Sequence, residues 1–264
     1  MVLKKSYNGI PAADLKQFLE EKYLQFNNHS FIVSDPISIP HSFTSRKDRE
    51  IAGFLASTIA WGRRDLILRS CRSMMALMDN QPYNFIALAD EDQIQRLSSF
   101  VHRTFNGSDM MSFVYSLRYI YSRYGSLEDV IAEGMTNGSL KDGLSHFRTI
   151  FFMVPHSRRS EKHLADVSGC AAGKRLNMFL RWMVRSDGRG VDFGLWNKIK
   201  PSQLFIPLDF HTGNTSRKLG LLTRKANDWK AVEELTEVLR SFDPEDPVKY
   251  DFALFGLGVF ENFA

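Results

Sequence analysis

Apolar residues recur every three or four positions along nearly the whole chain, and this spacing constrains the fold more than any other feature of the sequence. It places them on one face of an α-helix, whereas the alternation that marks a β-strand is scarce. Asp14 and Ser45 are predicted N-caps, and Gly62 and Gly125 are predicted helix ends. We therefore predict an all-α protein of about ten helices. The clearest periodic runs are 15–26, 51–59, 113–124, 176–183 and 232–242.

The length of the chain leaves the number of domains open. Its 264 residues, 44% of them hydrophobic, can bury one large core or two smaller ones. We expect a single all-α unit over residues 1–264. It could divide into a helical subdomain at about 45–160 and a hairpin-containing subdomain made of 1–44 plus 161–264.

Several protein classes are excluded by what the sequence lacks. Two cysteines, Cys71 and Cys170, are too few for a disulfide scaffold or a four-cysteine iron–sulfur cluster. Phosphate-loop and nucleophile-elbow motifs are absent, and the seven histidines lack zinc-site spacing. Without a signal-like N-terminus or a long apolar run, the chain is expected to be cytoplasmic and free of membrane. No cofactor, no metal and no obligate protein partner are expected.

Positive charge is concentrated in one segment. Residues 155–200 carry 10 basic and 4 acidic side chains, a net charge of +6, against +1 for 1–154 and −3 for 201–264. A basic segment of this kind could face a polyanion such as nucleic acid. The alternative is an ordinary solvated basic surface.

The segment 163–176 predicts a tight helical hairpin. A short apolar helix leads into Gly169 and Gly173, and a new helix begins at Lys174. Glycines let the backbone approach a ligand closely, and the N–H groups at a helix start favour phosphate. We predict an exposed basic stripe along the new helix, which either contacts phosphate or is simply solvated. The stripe consists of Lys174, Asn177, Arg181 and Arg185.

A second polar segment, 207–215, places Asp209 and His211 at the start of another helix. The simplest interpretation makes Asp209 an N-cap and His211 a packed core histidine. The same side chains could instead take part in acid–base chemistry.

Taken together, the hairpin, the lysine at a helix start and the Pro-x-Asp-x-His segment resemble the helix-hairpin-helix DNA glycosylase superfamily, which includes endonuclease III and the 8-oxoguanine glycosylases. The resemblance covers about residues 45–260 and includes the segments 48–61 and 119–127. The 35-residue gap between Lys174 and Asp209 is similar to that of archaeal 8-oxoguanine glycosylases, with 188–194 as inserted loop. The chain also resembles an uncharacterised bacterial family through segments 193–196 and 246–254.

The resemblance implies an all-α helix-hairpin-helix fold and a base-excision enzyme acting on double-stranded DNA with a damaged base, such as an oxidised purine. Lys174 would attack the sugar C1′, and Asp209, with His211 nearby, would stabilise the sugar cation and move protons. The resulting Schiff base would permit β-elimination of the 3′ phosphate. The implied DNA-binding residues are Gly169, Gly173, Arg175, Asn177, Arg181 and Arg185. Aromatic walls for a flipped base would come from Trp61, Trp182, Trp196 or Phe210.

Two other function classes stay open at this point. One is a nucleic-acid-binding member of the same fold without chemistry, in which Lys174 is only another cation. The other is a metal-dependent hydrolase that uses Asp209 and His211. The residues also leave open which base is removed and whether the nucleic acid is DNA or RNA.

Overall fold

The computed structural model describes residues 6–263, and it is almost entirely helical, which confirms the predicted all-α class. Five of the helices have fewer than eight residues, and they raise the number of helices above the predicted ten, because segments this short show no clear apolar period. None of the helices among the described residues has both the length and the hydrophobicity of a membrane span. The fourteen α-helices in this range are α1 Ala12–Phe26, α2 His29–Ser34, α3 Ser38–His41, α4 Arg46–Thr58, α5 Arg64–Leu77, α6 Pro82–Leu88, α7 Glu91–Gln95, α8 Gly107–Arg123, α9 Leu127–Glu133, α10 Leu140–Phe151, α11 Lys174–Val184, α12 Phe210–Lys218, α13 Trp229–Phe242 and α14 Tyr250–Phe260.

Two small antiparallel hairpins complete the regular structure. Strand β1 (Ser6–Tyr7) pairs with β2 (Ile10–Pro11), and β3 (Val101–His102) pairs with β4 (Phe105–Asn106). The first hairpin turns at Asn8 and Gly9, whose φ angles of 47° and 82° fit the primed turns that Asn-Gly favours. Short 3-10 helices lie at Arg96–Ser99, Thr136–Gly138, Arg158–His163, Pro201–Gln203 and Pro247–Lys249.

The chain divides into two compact units. The terminal unit comprises Met1–Phe31 and Gly169–Ala264, and the central unit comprises Ile32–Ser168. The boundaries therefore fall at residues 31/32 and 168/169, whereas the sequence analysis put the subdomain limits at about 45 and 160.

Helix starts follow local capping chemistry. The Ser45 hydroxyl accepts from the Asp48 N–H, which confirms the predicted cap of α4. The prediction for Asp14 is wrong: strand β2 runs directly into α1, Pro11 occupies the cap position, and Asp14 lies inside the first turn. Helix α4 ends at Thr58, before the predicted Gly62, whereas α8 ends at Arg123 close to the predicted Gly125.

Helix packing in the terminal unit depends on small residues of α14, which packs against α1 and α12. A Cβ atom added at Gly256 would lie 2.2 Å from the Phe26 ring of α1. One added at Gly258 would lie 2.9 Å from Thr215 Oγ1 of α12. These distances are too short for a side chain, so the two glycines permit the close approach of all three helices.

The central unit is built around aromatic rings from α4, α8 and α10. Phe54 contacts Phe113, Phe147 and Phe151, and all four rings are buried. At one end of this core the fully buried Asp109 carboxylate accepts hydrogen bonds from its neighbours. The donors are Asn106 N at 2.9 Å, Arg159 Nη1 at 2.5 Å and Ser160 Oγ at 2.7 Å.

Asp109→Asn is expected to lower the free energy of unfolding by about 2 kcal/mol, because a neutral amide cannot accept all the hydrogen bonds that the buried carboxylate takes from Arg159, Ser160 and the Asn106 N–H. Asp142 is a matched control, since it occupies the same third position of a helix but is exposed. Asp142→Asn should cost less than about 1 kcal/mol. Urea denaturation measures both, and equal losses would show that burial of Asp109 is unimportant.

Candidate active site

Lys174 is the first residue of α11, and the loop before it is fixed by several contacts. Gly173 adopts the left-handed conformation, with φ of 61°, as the chain turns into the helix. The Asn177 side chain donates to the Ala172 carbonyl at 3.2 Å. Cys170 O accepts from the Trp229 N–H at the start of α13, also at 3.2 Å. The loop is thus tied to two helices, and Lys174 has a defined position.

The chain before this loop differs from the predicted hairpin. The expected apolar α-helix is a 3-10 helix, Arg158–His163, followed by a turn at 167–170. The Asp166 carboxylate accepts from both the N–H and the hydroxyl of Ser168, at 3.0 and 2.6 Å. This local bonding competes with helix formation. Gly169, a predicted phosphate contact, is exposed and has no positive φ.

Asp209 is the N-cap of α12, as predicted. One carboxylate oxygen, Oδ1, accepts from the Thr212 N–H at 2.9 Å. The Asp209 backbone carbonyl accepts from the Asn227 side chain at 3.1 Å. Asn227 directly precedes the start of α13, so the same short segment that holds the loop before Lys174 also holds Asp209.

The structure brings Lys174 and Asp209 together across 35 residues of sequence. Lys174 Nζ lies 3.9 Å from Asp209 Oδ2, and the two side chains are 27% and 22% exposed. The two side chains therefore lie close together, as the shared reaction implied by the resemblance requires. The amine also donates to Met178 Sδ at 3.4 Å, a weak acceptor.

A second lysine of the terminal unit shows how unusual this environment is. Lys249 Nζ lies 2.6 Å from Asp243 and 2.9 Å from Glu20. Burial opposes its charge, but hydrogen bonds to these carboxylates raise its pKa. Lys174 has only a longer ion pair and a sulfur contact among the described residues, so its nitrogen is held more loosely and faces solvent.

The predicted exposed basic stripe is wrong for three of its four residues. Asn177, Arg181 and Arg185 are 1%, 3% and 0% exposed, so they cannot reach DNA phosphates in this structure. The physical reason is that carboxylates from other segments cover this face of α11. Arg181 Nη1 contacts Asp251 at 2.5 Å, and Arg181 Nε lies 3.3 Å from Asp192. Arg185 contacts Asp192 at 2.5 Å, Asp246 at 2.8 Å and Asp187 at 3.1 Å.

The buried charge network depends on the glycine-rich loop 186–194, which follows α11. The loop supplies Asp187 and Asp192, and it returns to α11 through hydrogen bonds from Phe193 N to Trp182 O and from Trp196 N to Met183 O, at 2.8 and 3.0 Å. Burial opposes the charge of Arg185, but the surrounding carboxylates raise its pKa well above its ordinary value. Sequence reasoning missed these aspartates. The sequence feature that could have revealed them is the number of carboxylates in this loop and around the start of α14.

Asp251 of α14 belongs to this network through its contact with Arg181. Its side chain is buried on α14, and burial raises the pKa of the carboxyl to about 6 against the opposing effect of Arg181. The charges of Asp209 and Lys174 also act on this pKa, the first raising it and the second lowering it. The terminal unit therefore contains a partly exposed carboxylate at a helix start, Asp209, and a buried one in the charge network, Asp251.

Two of the four predicted base-pocket aromatics are in the core. Trp182 and Trp196 are 0% and 3% exposed: the first is a residue of α11, and the second lies beyond that helix and packs edge-on against its Phe179. Phe210 is 68% exposed, directly after Asp209. Trp61 belongs to the central unit, where it is partly exposed and stacks on His163 with ring centroids 5.9 Å apart.

Two predicted site residues remain: Arg175, which follows Lys174, and His211, which lies two residues after Asp209. Arg175 is partly buried, and burial lowers its pKa to about 10, so its guanidinium keeps its charge at neutral pH. His211 is exposed and contacts the Phe210 ring at 5.6 Å, which excludes the packed-core interpretation. Between residues 6 and 263, no three His, Cys, Asp or Glu side chains are arranged to hold a metal ion.

Arg185→Met is expected to lower the free energy of unfolding by about 3–5 kcal/mol, because it leaves buried carboxylates without their cation. The control is Arg224→Met, which breaks a partly exposed pair with Asp228 at the same 2.5 Å distance and should cost much less. The fraction of Arg185→Met that folds should bind DNA with the same salt dependence as the wild-type protein. A reduced salt slope with normal stability would instead make Arg185 a phosphate contact.

Comparison with known proteins gives a family and no activity. No curated protein and no solved structure shows a significant match to the chain. The family described as "Protein of unknown function (DUF2400)" matches residues 35–260, which is most of the sequence. The chain therefore belongs to the DUF2400 family.

Proposed function

We propose that this protein is a DNA glycosylase with lyase activity, in which Lys174 is the nucleophile and Asp209 the charge-stabilising carboxylate. The observation that carries the proposal is their pairing: a loosely held, partly exposed amine 3.9 Å from a carboxylate, each at the start of a helix. A neutral amine and a fixed carboxylate are what this reaction requires.

The positions of the two side chains favour separate roles. The Asp209 cap bond and the N-terminus of α12 both stabilise a negative charge, as a group facing a sugar cation needs. Lys174 projects from the start of α11, where backbone N–H groups and Arg175 would attract the flanking phosphates. Exposed Phe210, beside Asp209, offers a surface on which a flipped base can stack.

The chemistry can be written with these residues alone. The Lys174 Nζ lone pair forms a bond to C1′ while the glycosidic C1′–N bond breaks, and the base leaves with that electron pair and acquires a proton. The C1′–O4′ bond then opens as the C=N bond forms, and a proton moves from nitrogen to O4′. Loss of a C2′ proton from this imine would release the 3′ phosphate by β-elimination.

The relationship to the helix-hairpin-helix superfamily is part of the proposal. Its support is the order of the elements: a glycine-containing loop, Lys174 at a helix start, an inserted loop and then a capping aspartate, with the spacing of the archaeal 8-oxoguanine group. Gly169 and Arg175 stay predicted DNA contacts, whereas Gly173 is buried beneath the start of the helix. The proposed substrate is double-stranded DNA with a damaged base.

A nucleic-acid-binding protein without chemistry is the second candidate. It requires only an exposed cation at the start of α11 and no proton transfer, and Lys174, with a side chain 27% exposed, meets that requirement. The experiments below separate the two, because only the enzyme forms a covalent intermediate.

Lys174→Gln is expected to abolish covalent trapping. Wild-type protein, a duplex with one abasic site and sodium borohydride should give a protein–DNA adduct on a denaturing gel, because the reductant converts the imine to a stable amine. Lys174→Gln should give none and should still bind the duplex. The control, Lys230→Gln, replaces an exposed lysine of the same unit and should leave trapping unchanged. Trapping by Lys174→Gln at the wild-type level would exclude Lys174 as the nucleophile.

Asp209→Asn is expected to slow base release by roughly 10²-fold, because a neutral amide stabilises the sugar cation poorly. Thermal stability should change little, since Asn is also a good N-cap. Single-turnover release is measured on whichever duplex reacts best among those with 8-oxoguanine, uracil or an alkylated purine. Asp228→Asn alters the equivalent cap of α13 and should not slow release. A low melting temperature with a proportionate loss of activity would reduce Asp209 to a structural cap.

A further inference from the structure

The central unit carries a cationic and aromatic surface that the proposed chemistry does not use. Three of the ten basic residues of segment 155–200 belong to this unit and lie in its 3-10 helix, Arg158–His163. Arg158 and Lys162 are exposed, and the side chain of Arg159 is 39% exposed. Unlike the arginines that are buried along α11, these cations face solvent.

The β3–β4 hairpin brings a further cation to this 3-10 helix. Arg159 Nη2 donates to Thr104 O at 2.9 Å, and Arg159 Nη1 donates to Asn106 Oδ1 at 2.7 Å, so the helix is tied to the hairpin turn. Arg103, in the turn, is exposed and has a φ of 54°, a conformation that Asn or Gly adopts far more readily than Arg. Its guanidinium makes no hydrogen bond or ion pair with any residue that the structure describes, so it is available to an anion.

Trp61 lies beside this guanidinium. A Cβ atom added at Gly62 would lie 2.7 Å from Arg103 Nη1, so the guanidinium packs directly against the residue that follows Trp61. The indole is partly exposed; it stacks on the buried His163 ring at 5.9 Å and contacts the buried His102 ring edge-on at 5.2 Å. These contacts fix the position of the indole. The Trp61 surface, as we name it, consists of Trp61, Gly62, Arg103, Arg158 and Arg159.

Carboxylates do not cancel the charge of the Trp61 surface. Those that the same segments carry are already paired with other cations or with Arg159: Asp109 with Arg159 at 2.5 Å, Asp65 with Arg63 at 2.8 Å, and Glu161 with Arg148 at 3.2 Å. Arg103 and Arg158 have no carboxylate within ion-pair distance in the described part of the chain, so both keep an unopposed positive charge.

We propose that the Trp61 surface binds unpaired nucleotides of single-stranded nucleic acid, with a base stacked on the exposed part of the Trp61 indole and a phosphate on Arg103. A single strand presents a flat ring and an anion in every repeat, and these are the groups that an aromatic side chain and a guanidinium bind. A duplex hides the faces of its bases, and an acidic peptide offers no ring in each repeat. The inference goes beyond the proposed function, because it concerns the central unit and needs no chemistry at Lys174.

Tryptophan fluorescence reports on the Trp61 surface directly. The other three tryptophans, Trp182, Trp196 and Trp229, are 0%, 3% and 2% exposed, so quenching by a stacked base arises from Trp61. Titration of the full chain with an oligothymidine of about twelve nucleotides should give saturable quenching. Polyglutamate of equal charge should not displace the oligonucleotide. Absence of quenching by oligothymidine, or displacement by polyglutamate, would overturn the inference.

Arg103→Asn tests the phosphate contact without threatening the fold, because Asn suits a positive φ better than Arg does. Anisotropy of a labelled oligothymidine should show weaker binding, and the slope of log affinity against log salt should fall by about 0.7. The control, Arg123→Asn, removes an exposed arginine at the other end of α8, about 24 Å along the helix axis from its start beside the hairpin. It should bind as the wild type does. A wild-type slope in Arg103→Asn would contradict the proposal.

Trp61→Leu tests the stacking contact and should lower the affinity for oligothymidine by about tenfold. Trp61→Phe keeps a ring for stacking and for packing on His163, so its affinity should stay within about threefold of the wild type and guards against misfolding of the first variant. Wild-type affinity in folded Trp61→Leu, or a tenfold loss in folded Trp61→Phe, would exclude stacking of this kind.

Lys174→Gln separates this inference from the proposed function. It should bind oligothymidine as the wild type does, because Lys174 belongs to the terminal unit. A loss equal to that of Arg103→Asn would overturn the assignment of the site to the central unit. Failure of the wild-type chain to form a borohydride adduct would overturn the proposed function alone.

Discussion

Two arginine side chains in the core of the terminal unit determine much of its architecture. A buried guanidinium is stable only when carboxylates surround it, because an unpaired buried charge costs several kcal/mol. Arg181 and Arg185 therefore require the loop after α11 and the chain around the start of α14 to bring aspartates to one place. Lys174 lies two helical turns before Arg181 on the same helix. The network that orients Arg181 thus also orients the helix from which the amine projects.

The fold was largely predictable because its signals are local. Helical spacing identified the long helices, and Ser45 and Asp209 were identified as caps from residue type and position. The proximity of Lys174 and Asp209 was predicted from the resemblance to a known superfamily, and no periodicity could have given it. The short helices and the 3-10 helix at Arg158–His163 were not predicted, because they contain too few residues to show a period.

The interpretation of the basic face of α11 failed for a physical reason. Periodicity shows which residues share a face and says nothing about what lies opposite. The sequence predicts that the basic face of α11 is exposed, whereas in the structure Asp192, Asp246 and Asp251 cover this face. One clue was present in α14, whose sequence is apolar apart from a single carboxylate, Asp251. A lone charge in an apolar helix needs a buried partner, and the partner of Asp251 is Arg181 of α11. Part of the positive charge of segment 155–200 is therefore paired with carboxylates inside the protein.

The site that results brings the amine of Lys174, the proposed nucleophile, to 3.9 Å from the Asp209 carboxylate, and the segment before α13 anchors the chain on both sides of this pair. The proposed function depends most on one step, in which Lys174 forms a covalent bond to the sugar. The most direct measurement is mass spectrometry of the borohydride-reduced adduct after digestion of protein and DNA. We expect the deoxyribose remnant on the peptide that contains Lys174 and on no other lysine peptide. A remnant on a different lysine, or unmodified peptides throughout, would contradict the claim.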